Sequence, residues 1–189
     1  MHPDFSSSFV PPSEPIVFVD LETTGGTFGV DRITEIGIVE VGPQGVSQWT
    51  SLVNPQKPIP AFIQQLTGIT DAMVRDAPTT FEELASNLLE RMNGRLFIAH
   101  NAHFDHGFLK GKFKRVGVRF APDVLCTVQL SRAMYPAESR HGLDALVDRH
   151  ALAPWRGIAR SPMPIFSGSS GSTCIARIRR RSCKHISSV

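Results

Sequence analysis

Cysteines and long apolar runs are scarce in this 189-residue sequence. Cys126, Cys174 and Cys183 show neither paired disulfide spacing nor a CxxC pattern, which excludes a disulfide-stapled scaffold and favours a reducing compartment. No stretch approaches the roughly 18 apolar residues of a membrane span, and the first residues lack the basic and apolar regions of a signal peptide. The composition therefore predicts a soluble, cytoplasmic protein with no membrane partner.

Asp, Glu and Leu are absent from residues 157–189. Residues 1–156 carry 14 basic side chains (Lys and Arg) against 17 acidic ones, whereas residues 157–189 carry six basic side chains and no acidic one. The formal charge of +3 therefore arises in the C-terminal segment. It gives no indication that the body of the chain binds nucleic acid.

Hydrophobic patterning divides the chain into three parts: a disordered lead at 1–14, a folded domain at 15–152, and a non-native or disordered Ser/Arg-rich tail at 153–189. In the domain, "IVFVDLE" is predicted as a buried strand, and "RITEIGIVEV" and "GVSQWTSLVNP" complete an antiparallel meander. Helix patterns then alternate with strands, and "TFEELASNLLERMNG" carries a capping box of Thr80 and Glu83. The predicted fold is an α/β mixed sheet flanked by helices.

Three carboxylates stand where the predicted strands end. Asp20 and Glu22 are two residues apart on one strand, so their side chains share a face, and Asp105 follows the strand "RLFIAHN". Taken alone, the first two are equally well interpreted as solvated acids, and Asp105 as a cap on the helix dipole. Three oxygen ligands without Cys or clustered His suit Mg²⁺ or Mn²⁺, and a pair of such cations about 3.5–4 Å apart can hydrolyse a phosphodiester.

Further motifs occur in a fixed order along the chain: "VDLETTG", "TEIG", "LVNP", "LTGIT", "AHNAHFD", "LCTVQLSR" and "HGLDAL". The set resembles the DEDD 3′-to-5′ exonucleases, of the type found in the proofreading epsilon subunit of DNA polymerase III and in ribonuclease T. The resemblance covers about residues 16–152. It implies an RNase H-like fold, a two-metal Mg²⁺ or Mn²⁺ site, single-stranded DNA or RNA 3′ ends as substrate, and a DNA polymerase as a partner.

The same resemblance implies individual site residues. The implied metal ligands and catalytic residues are Asp20, Glu22 and Asp105. The implied substrate contacts are Leu66 and Thr67 near the terminal nucleotide, and Thr23, Asn101 and Phe104 along the site. Without the resemblance, Leu66 and Phe104 are interpreted as core residues, because such side chains are usually buried.

Basic and imidazole side chains surround Asp105 in the sequence. A solvated helix face is favoured over phosphate contacts for Lys110, Lys112, Lys114 and Arg115. The i, i+3, i+6 spacing of His100, His103 and His106 does not keep three imidazoles on one side of a helix, so no metal cluster is predicted there.

The third motif of the resembled family, His-x₄-Asp, should follow "HGLDAL" by about a dozen residues. It supplies a general base and the fourth carboxylate ligand. Only His100 has an Asp five positions on, and that residue is Asp105. The tyrosine variant also fails, because Tyr135 is followed by Ser139 four positions on. The fourth ligand is therefore missing from this sequence, and with it the final helix of the fold.

Our hypothesis for the unusual tail is a one-base frame slip. Read one base out of step, with mostly G or C chosen at the undetermined bases, residues 156–172 can give Arg-His-Arg-Ala-Leu-Ala-Asp-Ala-Asp-Ile-Leu-Trp-Gln-Phe-Trp-Gln, which contains His-x₄-Asp. The alternative is a genuine disordered tail that binds nucleic acid by charge. Two functions follow: an exonuclease with crippled activity, or a non-catalytic remnant that binds nucleic acid or nucleotides.

Overall fold

A computed structural model describes residues 14–75, 77 and 80–152. The predicted tail, the frame slip and the third motif lie outside these residues, as does the predicted lead apart from Glu14. Within the described residues, no helix is long and apolar enough to cross a membrane.

The sheet has five strands in the order β3-β2-β1-β4-β5. Its first three strands pair antiparallel, as predicted for the meander, and β4 and β5 join parallel to β1. This confirms the predicted mixed sheet. The strand bounds are β1 Ile16–Thr23, β2 Ile33–Gly42, β3 Gly45–Leu52, β4 Leu96–Ala99 and β5 Val124–Cys126.

Six helices connect and flank the strands in the described part of the chain. The predicted capping box forms at the start of α3, where the Thr80 N–H donates to Glu83 Oε2 at 3.2 Å. The short helix α2 was not predicted from the sequence. Gly68, at φ 74°, ends α1 in the left-handed conformation before α2 begins. The helix bounds are α1 Ala61–Thr67, α2 Asp71–Arg75, α3 Phe81–Met92, α4 His103–Arg115, α5 Thr127–Met134 and α6 Leu143–Arg149.

Strand β1 separates two apolar clusters because its side chains alternate between the faces of the sheet. Val17, Val19 and Leu21 belong to the main core with α3 and α4, and Ile16 and Phe18 belong to a smaller cluster on the other face. Each buried side chain of this size contributes about 1.5–3 kcal/mol. On the face that carries Ile16 and Phe18, the next two side chains are Asp20 and Glu22. The alternation therefore places both carboxylates at the end of a well-packed strand.

Candidate active site

The candidate site lies where β1 extends past its neighbour β4. The parallel pairing of the two strands runs from Ile16↔Leu96 to Phe18↔Ile98, while β1 continues to Thr23. Asp20 and Glu22 occupy this extension and are both half-buried. The structure thus places the two predicted carboxylates on one face at the carboxyl end of a central strand.

Asp105 occupies the edge that β4 leaves open. It lies in the first turn of α4, is 4% exposed, and its Oδ1 accepts a hydrogen bond from the Leu21 N–H at 3.1 Å. A carboxylate therefore pairs with this buried backbone N–H where a neighbouring strand would otherwise do so. Leaving the N–H without a partner would cost about 1–3 kcal/mol of stability. The bond ties Asp105 to the residue between Asp20 and Glu22.

The three carboxylates repel one another. Burial first, and then the charges of Asp20, Glu35 and Asp105, raise the pKa of Glu22 to about 8. Burial and the charge of Asp20 raise the pKa of Asp105 well above its usual range, although backbone N–H groups, including that of Leu21, act in the opposite direction. Three carboxyl groups from two elements therefore form one electrostatic unit.

The donor set suits a hard divalent cation. Among the described residues, no group of three or more His, Cys, Asp or Glu side chains is arranged to hold a metal ion. Carboxylates repel one another over several ångströms, whereas metal coordination requires oxygen–metal distances of about 2.0–2.6 Å. The three carboxylates can therefore be coupled electrostatically before their oxygens are close enough to coordinate one ion. A cation among these carboxylates would offset the repulsion that raises their pKa values. The chemistry of Asp20, Glu22 and Asp105 therefore fits Mg²⁺ or Mn²⁺.

The loop after β1 is held by hydrogen bonds centred on Asp31. This carboxylate accepts hydrogen bonds from the Thr24 hydroxyl at 2.9 Å and from the Thr27 N–H at 2.9 Å. A Cβ at Gly25 would lie 2.6 Å from Asp31 Oδ2, so the turn requires glycine at that position. Thr23, predicted to line the site, is 7% exposed, and its hydroxyl donates to the Gly25 carbonyl at 2.7 Å.

The other predicted substrate contacts lie on α1 and at the start of α4. Leu66 is 50% exposed on α1, and the neighbouring Thr67 hydroxyl donates to the Ile63 carbonyl at 2.9 Å. Asn101 is exposed in the turn before α4, with φ 60°, a left-handed conformation that Asn tolerates better than most residues. Phe104 is half-buried beside Asp105 and packs on Phe108 at 4.8 Å between ring centroids.

An aromatic residue that the sequence did not indicate packs against the first two turns of α4. The Phe28 ring, carried by the loop after β1, packs against His103 at 5.5 Å and Phe108 at 5.0 Å between centroids. It fits over Gly107, where an added Cβ would lie 2.8 Å from the ring. A glycine in the helix thus makes room for the loop that follows Glu22.

Alanine in place of Gly107 tests this fit. The new Cβ must displace the Phe28 ring, and overpacking of about 1–3 kcal/mol offsets the gain of about 1 kcal/mol in helix propensity. Gly111 is the matched control, because a Cβ there meets nothing within 4 Å. In urea unfolding, we expect Gly107→Ala to be less stable than Gly111→Ala by at least about 1 kcal/mol. The same difference in a Phe28→Ala background would contradict the explanation.

The histidines and basic residues near Asp105 have separate surroundings. His100 Nδ1 lies 2.9 Å from the Thr127 hydroxyl, and the His106 ring packs against Phe97 and Phe120. On α4, Lys110, Lys114 and Arg115 are exposed, as predicted for a solvated face. Lys112 departs from that prediction, because its half-buried ammonium lies over the Phe81 ring at 5.7 Å.

The sheet order and flanking helices define an RNase H-like α/β domain. A family model described as exonuclease matches residues 17–153. The chain therefore belongs to this exonuclease family, the DEDD exonucleases, as the ordered motifs predicted. Members of the family generally use divalent metal ions.

Curated relatives support the same assignment. The chain is 43% identical over 136 residues to a PolC-type DNA polymerase III of Caldanaerobacter subterraneus subsp. tengcongensis, covering 71% of this chain and 10% of that protein. It is 40% identical over 140 residues to the 3′-5′ exonuclease DinG of Bacillus subtilis, covering 72% of this chain and 15% of DinG. The chain thus spans a small fraction of these relatives.

Solved structures share the fold. An exonuclease X in complex with 5′ overhanging duplex DNA matches with a TM-score of 0.64 and 22% identity, over 87% of this chain and 88% of that one. A product-bound exonuclease I matches with a TM-score of 0.73 and 15% identity, over 92% of this chain and 45% of that one. At these identities the likeness concerns the fold alone.

Proposed function

We propose that the chain is a 3′-to-5′ exonuclease domain of the proofreading epsilon-subunit type, acting on single-stranded DNA or RNA 3′ ends, with its rate strongly reduced by the missing third motif. The observation that carries the proposal is the bond from the Leu21 N–H to Asp105, which fixes a buried carboxylate beside Asp20 and Glu22. The family and the 3′-5′ exonuclease relatives support it.

In this proposal Asp20, Glu22 and Asp105 hold two Mg²⁺ or Mn²⁺ ions. When bound, such ions lower the pKa of a water molecule and neutralise charge on the phosphodiester. The protein contributes the position of the three carboxylates, which the β1 backbone and the first turn of α4 determine. Leu66 and Thr67 would lie near the terminal nucleotide, and Thr23, Asn101 and Phe104 would line the site.

The rate of this chain is expected to be low. Its sequence offers no His-x₄-Asp beyond His100 and Asp105, so a general base and a fourth carboxylate are lacking. Loss of a general base typically costs about 10² to 10⁴ in rate. A second candidate function follows from the same observation: a non-catalytic remnant that binds 3′ ends or nucleotides.

A labelled single-stranded DNA incubated with the full chain and Mn²⁺ separates the two candidates. We expect slow shortening from the 3′ end that stops when a chelator removes the metal or when Asp20 is replaced by Ala. Metal-dependent binding of the strand without shortening would favour the remnant. A chain that neither binds nor shortens the strand contradicts both.

The setting of the domain is also proposed. Similarity to a PolC-type DNA polymerase III supports a DNA polymerase as partner. A cytoplasmic location rests on the cysteine pattern of the sequence alone.

A further inference from the structure

Two large apolar side chains are exposed on one side of α1. Phe62 is 67% exposed and Leu66 is 50% exposed, and at i and i+4 they are neighbours on the helix surface. Phenylalanine and leucine are usually buried, and an adjacent exposed pair therefore marks a surface that contacts something else.

The fold does not require this pair. Helix α1 is anchored by Ile63, which belongs to a small buried cluster with Ile59, Ile69 and Val74. At 3.6 residues per turn, Phe62 and Leu66 lie roughly 60–100° around the helix axis from Ile63, so they flank the packing face of the helix and are not part of the buried cluster. A substitution at Phe62 should leave this cluster intact.

The pair lies at the same end of the sheet as the carboxylates. Strand pairing aligns Glu22 with Glu35, and Glu35 with Leu52, in one row across β1, β2 and β3. With neighbouring strands about 4.8 Å apart, Leu52 is roughly 10 Å from Glu22 along this row. Leu52 in turn packs against the cluster that anchors α1. A polymer that reaches Glu22 can therefore also reach α1.

The charges around α1 favour a polyanion over an acidic or purely apolar partner. The helix itself, AFIQQLT, has no charged side chain. Lys57 before it and Arg75 after it line an open pocket of about 350 Å³ together with Asn54, Gln56 and Asp71. Lys57 also pairs with Asp31 at 3.4 Å, and both carboxylate oxygens of Asp71 already accept hydrogen bonds, one from the Ile59 N–H and one from the Gln64 side chain. An uncharged apolar surface between cations is the combination with which proteins bind single-stranded nucleic acid, because the cations attract phosphates and the apolar side chains contact bases.

We propose that Phe62 is a substrate-positioning residue whose ring stacks on a nucleobase of a single strand whose 3′ end occupies the carboxylate site. The stacked base lies upstream of the terminal nucleotide, and Leu66 lies between Phe62 and that nucleotide. The inference rests on the proposed function for its substrate class. It adds to that function a contact with a nucleobase, which an abasic strand cannot make.

The test measures binding of a fluorescent oligothymidine to the full chain by anisotropy in Mn²⁺, with a non-hydrolysable 3′-terminal linkage in the strand to prevent shortening. We expect Phe62→Ala to weaken binding about 5- to 150-fold, because base–aromatic stacking contributes at that level. Phe62→Tyr should restore the affinity. Val46→Ala is the matched control, since Val46 is also an exposed apolar residue, 51% exposed, but lies at the β2–β3 hairpin.

An abasic oligonucleotide of the same length identifies the contact. It should bind weakly and equally to the wild type and to Phe62→Ala. Equal affinity of these two proteins for oligothymidine, or an equal loss for the abasic strand, would overturn the inference. If the wild type shortens DNA in Mn²⁺ and Phe62→Ala binds normally, the stacking inference is wrong and the proposed exonuclease function stands. If the wild type never shortens DNA and Phe62→Ala binds weakly, the proposed exonuclease function is wrong and the stacking inference stands.

Discussion

Asparagine in place of Asp105 is expected to lower 3′-end hydrolysis by at least about 100-fold while the domain stays folded. Loss of a group that hydrogen-bonds to a metal ligand typically lowers metal affinity or activity about 10- to 100-fold. Loss of the charge of a ligand itself should lower the activity at least as much. The Asn side-chain oxygen can still accept the Leu21 N–H, which keeps this backbone donor paired. The rate of shortening of a labelled strand, measured beside a urea unfolding curve, gives both quantities.

Two further variants separate charge from structure. Asp105→Ala should lose activity and also about 1–3 kcal/mol of stability, because it leaves the buried Leu21 N–H without a partner. Asp123→Asn removes an exposed acid before β5 and should leave activity and stability unchanged. Hydrolysis by Asp105→Asn within threefold of the wild type would exclude Asp105 from the metal site.

Restoring the third motif is expected to raise the rate by about 10² to 10⁴. The change replaces residues 157–171 by the string that the slipped frame encodes from the second position onward, so that Gly157→His and Pro162→Asp recreate His-x₄-Asp. The magnitude follows because a positioned general base typically contributes that factor, and the aspartate adds a metal ligand. Initial rates of 3′ shortening by the original and restored chains, in the same Mn²⁺ concentration, check it.

A matched chain isolates the catalytic pair from the helix around it. It carries the same replacement string but with Gly157→Gln and Pro162→Asn, so it keeps the helix and the apolar residues of the string without the base and the ligand. A comparable gain in rate from this control would contradict the assignment of the pair. Independently, the nucleotide sequence of the gene must contain a frame that encodes the string after one inserted or deleted base near the codons for residues 150–157.

Much of the sheet could be predicted from the sequence because its strands carry strong local signals. The β-branched runs of β1 and β2, and the turn between β2 and β3, specify the meander through alternation of apolar and polar residues. The capping box of α3 is equally local, involving residues three apart. Such features depend on neighbours in the chain, and the structure confirms them.

The contacts that connect distant segments could not be predicted in the same way. The Leu21 N–H and Asp105 are 84 positions apart, and the partner of a single backbone donor leaves no pattern in the sequence. The packing of Phe28 over Gly107 depends on shape complementarity between distant segments. From the sequence, a glycine within a predicted helix indicates only a position of low helix propensity. The roles assigned to Leu66, Thr67 and Asn101 came from the family resemblance and stay predictions.

The unequal lengths of two adjacent strands determine how much room the candidate site has. β1 has eight residues and β4 has four. If β4 were longer, its backbone would pair with β1 beyond Phe18 and take the Leu21 N–H, leaving Asp105 without its anchor. Substitutions or insertions at 99–102 therefore act on the chemistry of the domain even when they alter no carboxylate, and strand length itself becomes a functional property of this chain.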